Sequence, residues 1–96
     1  MKQFDLFANP FLRSRERQPL LVALQSDLLS RSLDTVVMAP LETADSGKYN
    51  VEDKAFTLIA QEIVTVRKSV PGGPCGSLAH ERDHIIAALD LLFTGF

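Results

Sequence analysis

Ser77-Leu78-Ala79-His80-Glu81-Arg82-Asp83-His84-Ile85-Ile86-Ala87-Ala88-Leu89-Asp90-Leu91-Leu92-Phe93-Thr94-Gly95-Phe96 decides the fold, because the hydrophobic period changes where it begins. Leu78, Ile85, Leu89, Leu92 and Phe93 fall on one face at 3.6 residues per turn, with Ile86 at its margin. Ser77 is placed to cap this predicted helix, and Glu81 supplies negative charge in its first turn. A second stripe of Asp83, Ala87, Asp90 and Thr94 runs on the side away from the core. Small and acidic residues there leave the backbone approachable. The helix then runs through Leu91, Leu92 and Phe93 to Gly95, which can take positive φ, and Phe96. Apolar surface of that kind is either tucked into a core or kept to press against a partner.

Upstream of this stretch the pattern is that of strands. Phe4-Asp5-Leu6-Phe7 alternates and is ended by Asn9-Pro10, after which an arginine-rich loop reaches Gln18. Leu20 to Leu24 is a near-continuous apolar run of strand length. Ser26-Asp27 breaks it, Leu28-Leu29 follows, and Ser30 to Asp34 reads as a polar connection. Thr35 to Ala39 is a strand closed by Pro40, and residues 42–48 form a polar loop. Tyr49 to Val51 and Phe56 to Ala60 pair as a hairpin across Glu52-Asp53-Lys54, and Val64 to Val70 is a further β-branched strand. Pro71 to Gly76 holds too much proline and glycine for anything but a turn. The expectation is an α+β, mainly β fold, one domain over residues 1–96, with an antiparallel sheet curled round the helix's apolar face.

Composition agrees with a globular chain. Of 96 residues 46% are apolar and 23% charged, and the core is aliphatic, with six Phe, one Tyr and no Trp. A domain of this size buries little surface, so dimerisation would help cover apolar area. The net charge of −2 argues against a general nucleic-acid-binding surface. A single Cys75 excludes an internal disulfide framework and fits a reducing compartment. Met1-Lys2-Gln3-Phe4-Asp5 has no signal-peptide apolar segment, and no apolar run approaches a membrane span. The expected location is the cytoplasm, with no membrane association.

No catalytic constellation emerges. His80-Glu81-Arg82-Asp83-His84 matches the spacing of a zinc-protease helix, with Asp90 where an extended version would want a third ligand. Ala87 keeps the helix continuous, however, so Asp90 points about 120° away from the histidine pair. No metal or cofactor is expected. Arg13-Ser14-Arg15-Glu16-Arg17 can hold phosphates or an acidic peptide, or simply solubilise a loop. Cys75 has no base near it in sequence and reads as incidental, and Pro71 to Gly76 lacks the Lys and Ser/Thr of a phosphate loop.

Several segments together resemble the CcdB toxins of toxin–antitoxin modules. They are Gln3 to Phe7, Arg13-Ser14-Arg15, Leu24-Gln25-Ser26-Asp27-Leu28-Leu29, Val36 to Leu41, and Ser77 through Phe96. The Gln-Ser-Asp segment before two aliphatics, and the helix ending in Phe-x-Gly-hydrophobe, are the most specific parts. The resemblance implies an SH3-like, strongly bent antiparallel sheet of the CcdB/MazF toxin type with a C-terminal helix. It also implies a homodimer that binds the A subunit of DNA gyrase and traps its cleaved-DNA state, neutralised by an antitoxin with a disordered acidic tail. Such a toxin works by binding and is not an enzyme.

Carried over by position, the gyrase-contacting residues fall on Leu28 and Leu29, and on Asp90, Phe93, Thr94, Gly95 and Phe96, with the stripe of Asp83 and Ala87 leading to them. The antitoxin region falls on Arg13, Ser14, Arg15 and Gln25. Three positions depart from the family pattern: Thr94 stands where the poison carries Trp, Asp90 replaces a neutral amide, and Phe96 replaces an aliphatic. An aromatic there stacks on a target cation, and a threonine does not. Two alternatives follow. One is a protein of this fold that binds an antitoxin without poisoning gyrase. The other is an endoribonuclease like the MazF and Kid toxins, with Arg13, Arg15 and Arg17 on phosphate.

Overall fold

Leucine-rich and β-branched runs build seven strands and two helices in a computed structural model that describes residues 1–95. The order is β1 (Asp5–Ala8), β2 (Leu20–Ala23), α1 (Asp27–Ser32), β3 (Thr35–Thr43), β4 (Tyr49–Val51), β5 (Lys54–Leu58), β6 (Val64–Arg67), β7 (Gly76–Ser77) and α2 (Arg82–Thr94). Turns of 3₁₀ helix occupy Ala60–Glu62 and Ala79–Glu81. All strand pairs are antiparallel, in the spatial order β4-β5-β3-β2-β1-β7, with β6 also beside β3. The result is a nearly closed, barrel-like sheet with a C-terminal helix, as expected for the α+β, mainly β class.

β3 is the spine. One edge pairs with β2 from Met38 to Leu41, while the other is divided between β6 at Thr35–Met38 and β5 at Leu41–Thr43. Pro40 therefore does not end the strand, as its sequence position had suggested, but sits inside it. Its carbonyl accepts from the Ile59 N–H at 3.0 Å, so the missing proline donor faces that same side, in the gap between β6 and β5. Apolar side chains fill both faces. Leu6, Val22, Ala39, Leu41, Phe56 and Ile85 belong to the core on the α2 side, and Phe7, Leu21, Ala23, Val36, Met38 and Val66 form a second one. Burial on both faces explains why β2 reads as a continuous apolar run without alternation.

The remaining differences from the sequence pattern are local. Residues that read as a break and a polar connection form α1, where the Ser26 hydroxyl accepts from the Leu29 N–H. Six residues are too few to show a helical period. The β4–β5 hairpin turns on two residues, Glu52 (φ 50) and Asp53 (φ 66), so Lys54 already belongs to β5 and Ala60 to the following 3₁₀ turn. β6 stops at Arg67, and Gly76 leaves the proline–glycine turn to join Ser77 in pairing with β1.

The helix itself starts later than expected. Ser77 is not its cap: it lies in β7, its hydroxyl accepts from the Ala79 N–H at 3.1 Å ahead of the 3₁₀ turn, and α2 begins at Arg82 with no side-chain cap. Leu78 is buried from ahead of the helix, Ile85 is fully buried, and Ile86 and Leu89 pack against the core. Leu92 and Phe93 share their face yet are exposed, because α2 outruns what covers its first turns. Of the two readings the sequence leaves open for this end, tucked into a core or kept for a partner, their exposure rules out the first for Leu92 and Phe93.

Candidate functional site

The outer half of α2 is an unburied apolar surface. Leu91 is 62% exposed and Phe93 71%, with Leu92 beside them. The helix is closed by Gly95 at φ 78, whose N–H donates to the Leu91 carbonyl at 3.1 Å in the left-handed cap that glycine favours. Thr94 turns its hydroxyl back to the Asp90 carbonyl at 2.6 Å, so that group is spent within the helix. Asp83, Asp90 and Thr94 are exposed on the outer side, and Asp90 enters no ion pair among the described residues. Ala87 differs from the rest of its stripe. With Ala88, Leu91 and His84 it lines a cleft of about 380 Å³ whose far wall includes Tyr49 and Leu58. Phe96 lies outside the described residues.

A second apolar surface is α1. Leu28 is 73% exposed and Leu29 52%, while Ser30, on its inner side, is buried. Lys68 fixes the helix to β6, its Nζ donating to the Ser30 carbonyl and its backbone N–H to that of Asp34 at 2.8 Å. At the other end the Asp27 carboxylate accepts from the Gln3 N–H at 2.6 Å. The positions carried over from the family leave out Leu33 and Leu91, which are also exposed. Leu91 lies four residues after Ala87 on the outer face, a spacing that could have found it. Leu33 carries no such signal, because α1 is too short to define a face.

The arginine loop is built from consecutive turns, with the Ser14 and Arg15 N–H groups donating to the Phe11 carbonyl and Gln18 to that of Ser14. Arg13 and Arg15 point into solvent without an ion pair among the described residues. Ser14 Oγ accepts from Asn9 at 3.0 Å. Arg17 is held instead, 3.6 Å from Glu42 and 4.0 Å from Glu62, and the buried Gln18 amide donates to both carboxylates. Gln25 does not join this surface. It is buried and its amide donates to the Thr35 carbonyl at 2.9 Å and to Ser30 Oγ, bracing α1 against β3.

Ionisable groups elsewhere serve the fold. His80 lies in the 3₁₀ turn and His84 in α2, so the continuous helix that the zinc spacing requires is interrupted. His84 Nδ1 sits 3.1 Å from the Glu81 carboxylate. Among the described residues no three His, Cys, Asp or Glu side chains converge as a metal site. Burial, and secondarily the charge of Glu81, push the Tyr49 hydroxyl above its ordinary pKa. Cys75 is exposed, and its N–H donates to the Leu6 carbonyl. No helix among the described residues is long and apolar enough to cross a membrane.

The family model described as CcdB protein matches residues 3–95. The chain belongs to the CcdB family. A search of curated proteins finds no match. Membership supports a CcdB-like toxin and suggests toxin–antitoxin partnering. On this CcdB-type fold the two apolar surfaces lie on helices that are joined at the start of each. α1 connects through Gln3 to Arg82, at the start of α2, whereas Phe93 stands about 16 Å further along the helix.

Proposed function

We propose that this protein is the toxin of a toxin–antitoxin pair, and that it acts as a homodimer on the A subunit of DNA gyrase, holding the enzyme with its DNA cleaved. The carrying observation is the exposed Leu91-Leu92-Phe93 end of α2, a helical apolar surface closed by the Gly95 cap. Leu28 and Leu29 on α1 supply a second apolar contact, and Asp83, Ala87, Asp90, Thr94 and Phe96 complete the proposed gyrase surface. Action is by occupation of a site, without catalysis. Arg13, Ser14 and Arg15 offer an acidic antitoxin tail two solvent-facing cations, and Gln25 contributes by holding α1 in place. A gyrase cleavage assay tests the reading: cleaved DNA accumulates at micromolar protein, and its absence overturns the proposal.

One observation favours a second reading. The Thr94 hydroxyl is bonded within α2 and offers a partner no stacking surface. A protein of this fold that binds an antitoxin but does not poison gyrase fits that geometry. Substitution Thr94→Trp separates the two: trapping of cleaved DNA by the variant alone supports the second, and equal trapping by both supports the first.

A further inference from the structure

We infer that Gln3 is a positioning residue that couples α1 to α2. Three of its polar groups point to three different elements. The backbone N–H donates to Asp27 Oδ1 at 2.6 Å, at the first residue of α1. The side-chain amide donates to the Leu24 carbonyl at 3.0 Å, one residue past the end of β2. Its oxygen accepts from Arg82 Nη1 at 3.2 Å, at the first residue of α2.

The neighbouring residue shows that this junction is enforced. Phe4 holds φ at 69, a conformation in which a bulky side chain is strained. It is kept there by burial, by its N–H donating to the Ala23 carbonyl, and by its own carbonyl accepting from Leu78 at 2.8 Å. That turn sets Gln3 between the two helices. α2 has no side-chain cap at its start, and a cation at a helix N-terminus opposes the macrodipole. Arg82 is held from outside the helix, by the Gln3 oxygen and by the Phe4 ring, whose centroid is 5.9 Å from the guanidinium carbon. Among the described residues Arg82 makes no hydrogen bond to α1, and Gln3 is the residue hydrogen-bonded to both helices.

The consequence for binding rests on the proposed function, since α1 and α2 carry the two apolar surfaces assigned to gyrase; the coupling itself is tested on the free protein. Amide hydrogen exchange is followed at Ser30 and Leu33, whose N–H groups close α1, and at Ala39 in the centre of β3. Arg82→Met and Gln3→Met each speed exchange at Ser30 and Leu33 by about fivefold or more with Ala39 unchanged. In the Gln3→Met background Arg82→Met adds nothing. Unchanged α1 exchange in Arg82→Met overturns the coupling, as does an equal loss at Ala39, which marks general destabilisation. Arg82 is exposed, so its variant folds even if Gln3→Met does not. In the gyrase assay Arg82→Met, remote from the Phe93 end, needs several-fold more protein to trap cleaved DNA. Wild-type protein that traps none overturns the proposed function, while the exchange result still decides the coupling.

Discussion

Gly47 lies just ahead of β4, where an added Cβ would come within 2.2 Å of the Phe56 carbonyl oxygen. Backbone cannot move aside as a side chain can, so Gly47→Ala is expected to cost about 2–3 kcal/mol, read from the denaturant midpoint. The neighbouring Tyr49 makes a prediction in pH. Its folded-state pKa is raised above 10.0, so the folded protein keeps the phenolic proton where the unfolded chain has lost it. Stability is unaffected below about pH 10 and falls as pH climbs from there toward the folded-state value. Tyr49→Phe removes that fall, and a melting temperature that drops equally in both proteins over this range would contradict it. Tyr49 is the only tyrosine in the chain, so tyrosinate absorbance reports the same titration directly. Neither residue announces these roles in sequence. Gly47 sits in a stretch that reads as any polar loop, and its necessity comes from a strand nine positions away.

At the scale of elements, α2 is two helices in one. Ile85 is fully buried, and Ile85→Ala is expected to lose about 2–5 kcal/mol of stability. Phe93→Ala, at an exposed position, should change stability by less than about 0.5 kcal/mol while weakening gyrase trapping at least several-fold. A large stability loss at Phe93 in thermal melts would mean that the end of α2 is structural. α2 and every strand but β7 were legible because each carries a period or an apolar or β-branched run. What was not legible depended on partners distant in the chain. Pro40 looks like a strand end until the gap between β6 and β5 accommodates it, and Gly76 looks like turn until β1 pairs with it. α1 was missed for its shortness. Leu92 and Phe93 obey the helical period yet stay exposed, because a period says which way a side chain faces and not whether anything is there.

For the molecule as a whole, the family, and with it a bent sheet with a C-terminal helix, followed from Gln3 to Phe7, the Gln25-Ser26-Asp27 segment and the helix end. The grouping of the candidate surface did not, because which exposed residues lie together is set by the closure of the sheet. The proposed homodimer adds a prediction at this scale. Burying apolar surface between two copies, away from the end of α2, makes the melting temperature rise with protein concentration. A concentration-independent midpoint, with monomer in sedimentation at micromolar protein, would remove the dimer from the proposal. The closure of the sheet also bears on synthesis. β1 is made first, but its outer neighbour is β7, and the core over it waits for Leu78 and Ile85. A ribosome must therefore deliver nearly the whole sequence before the barrel can shut, since such long-range pairing comes late and slowly. If the proposed function holds, a nascent chain cannot yet act as a toxin, and that interval is when an antitoxin made alongside it could arrive.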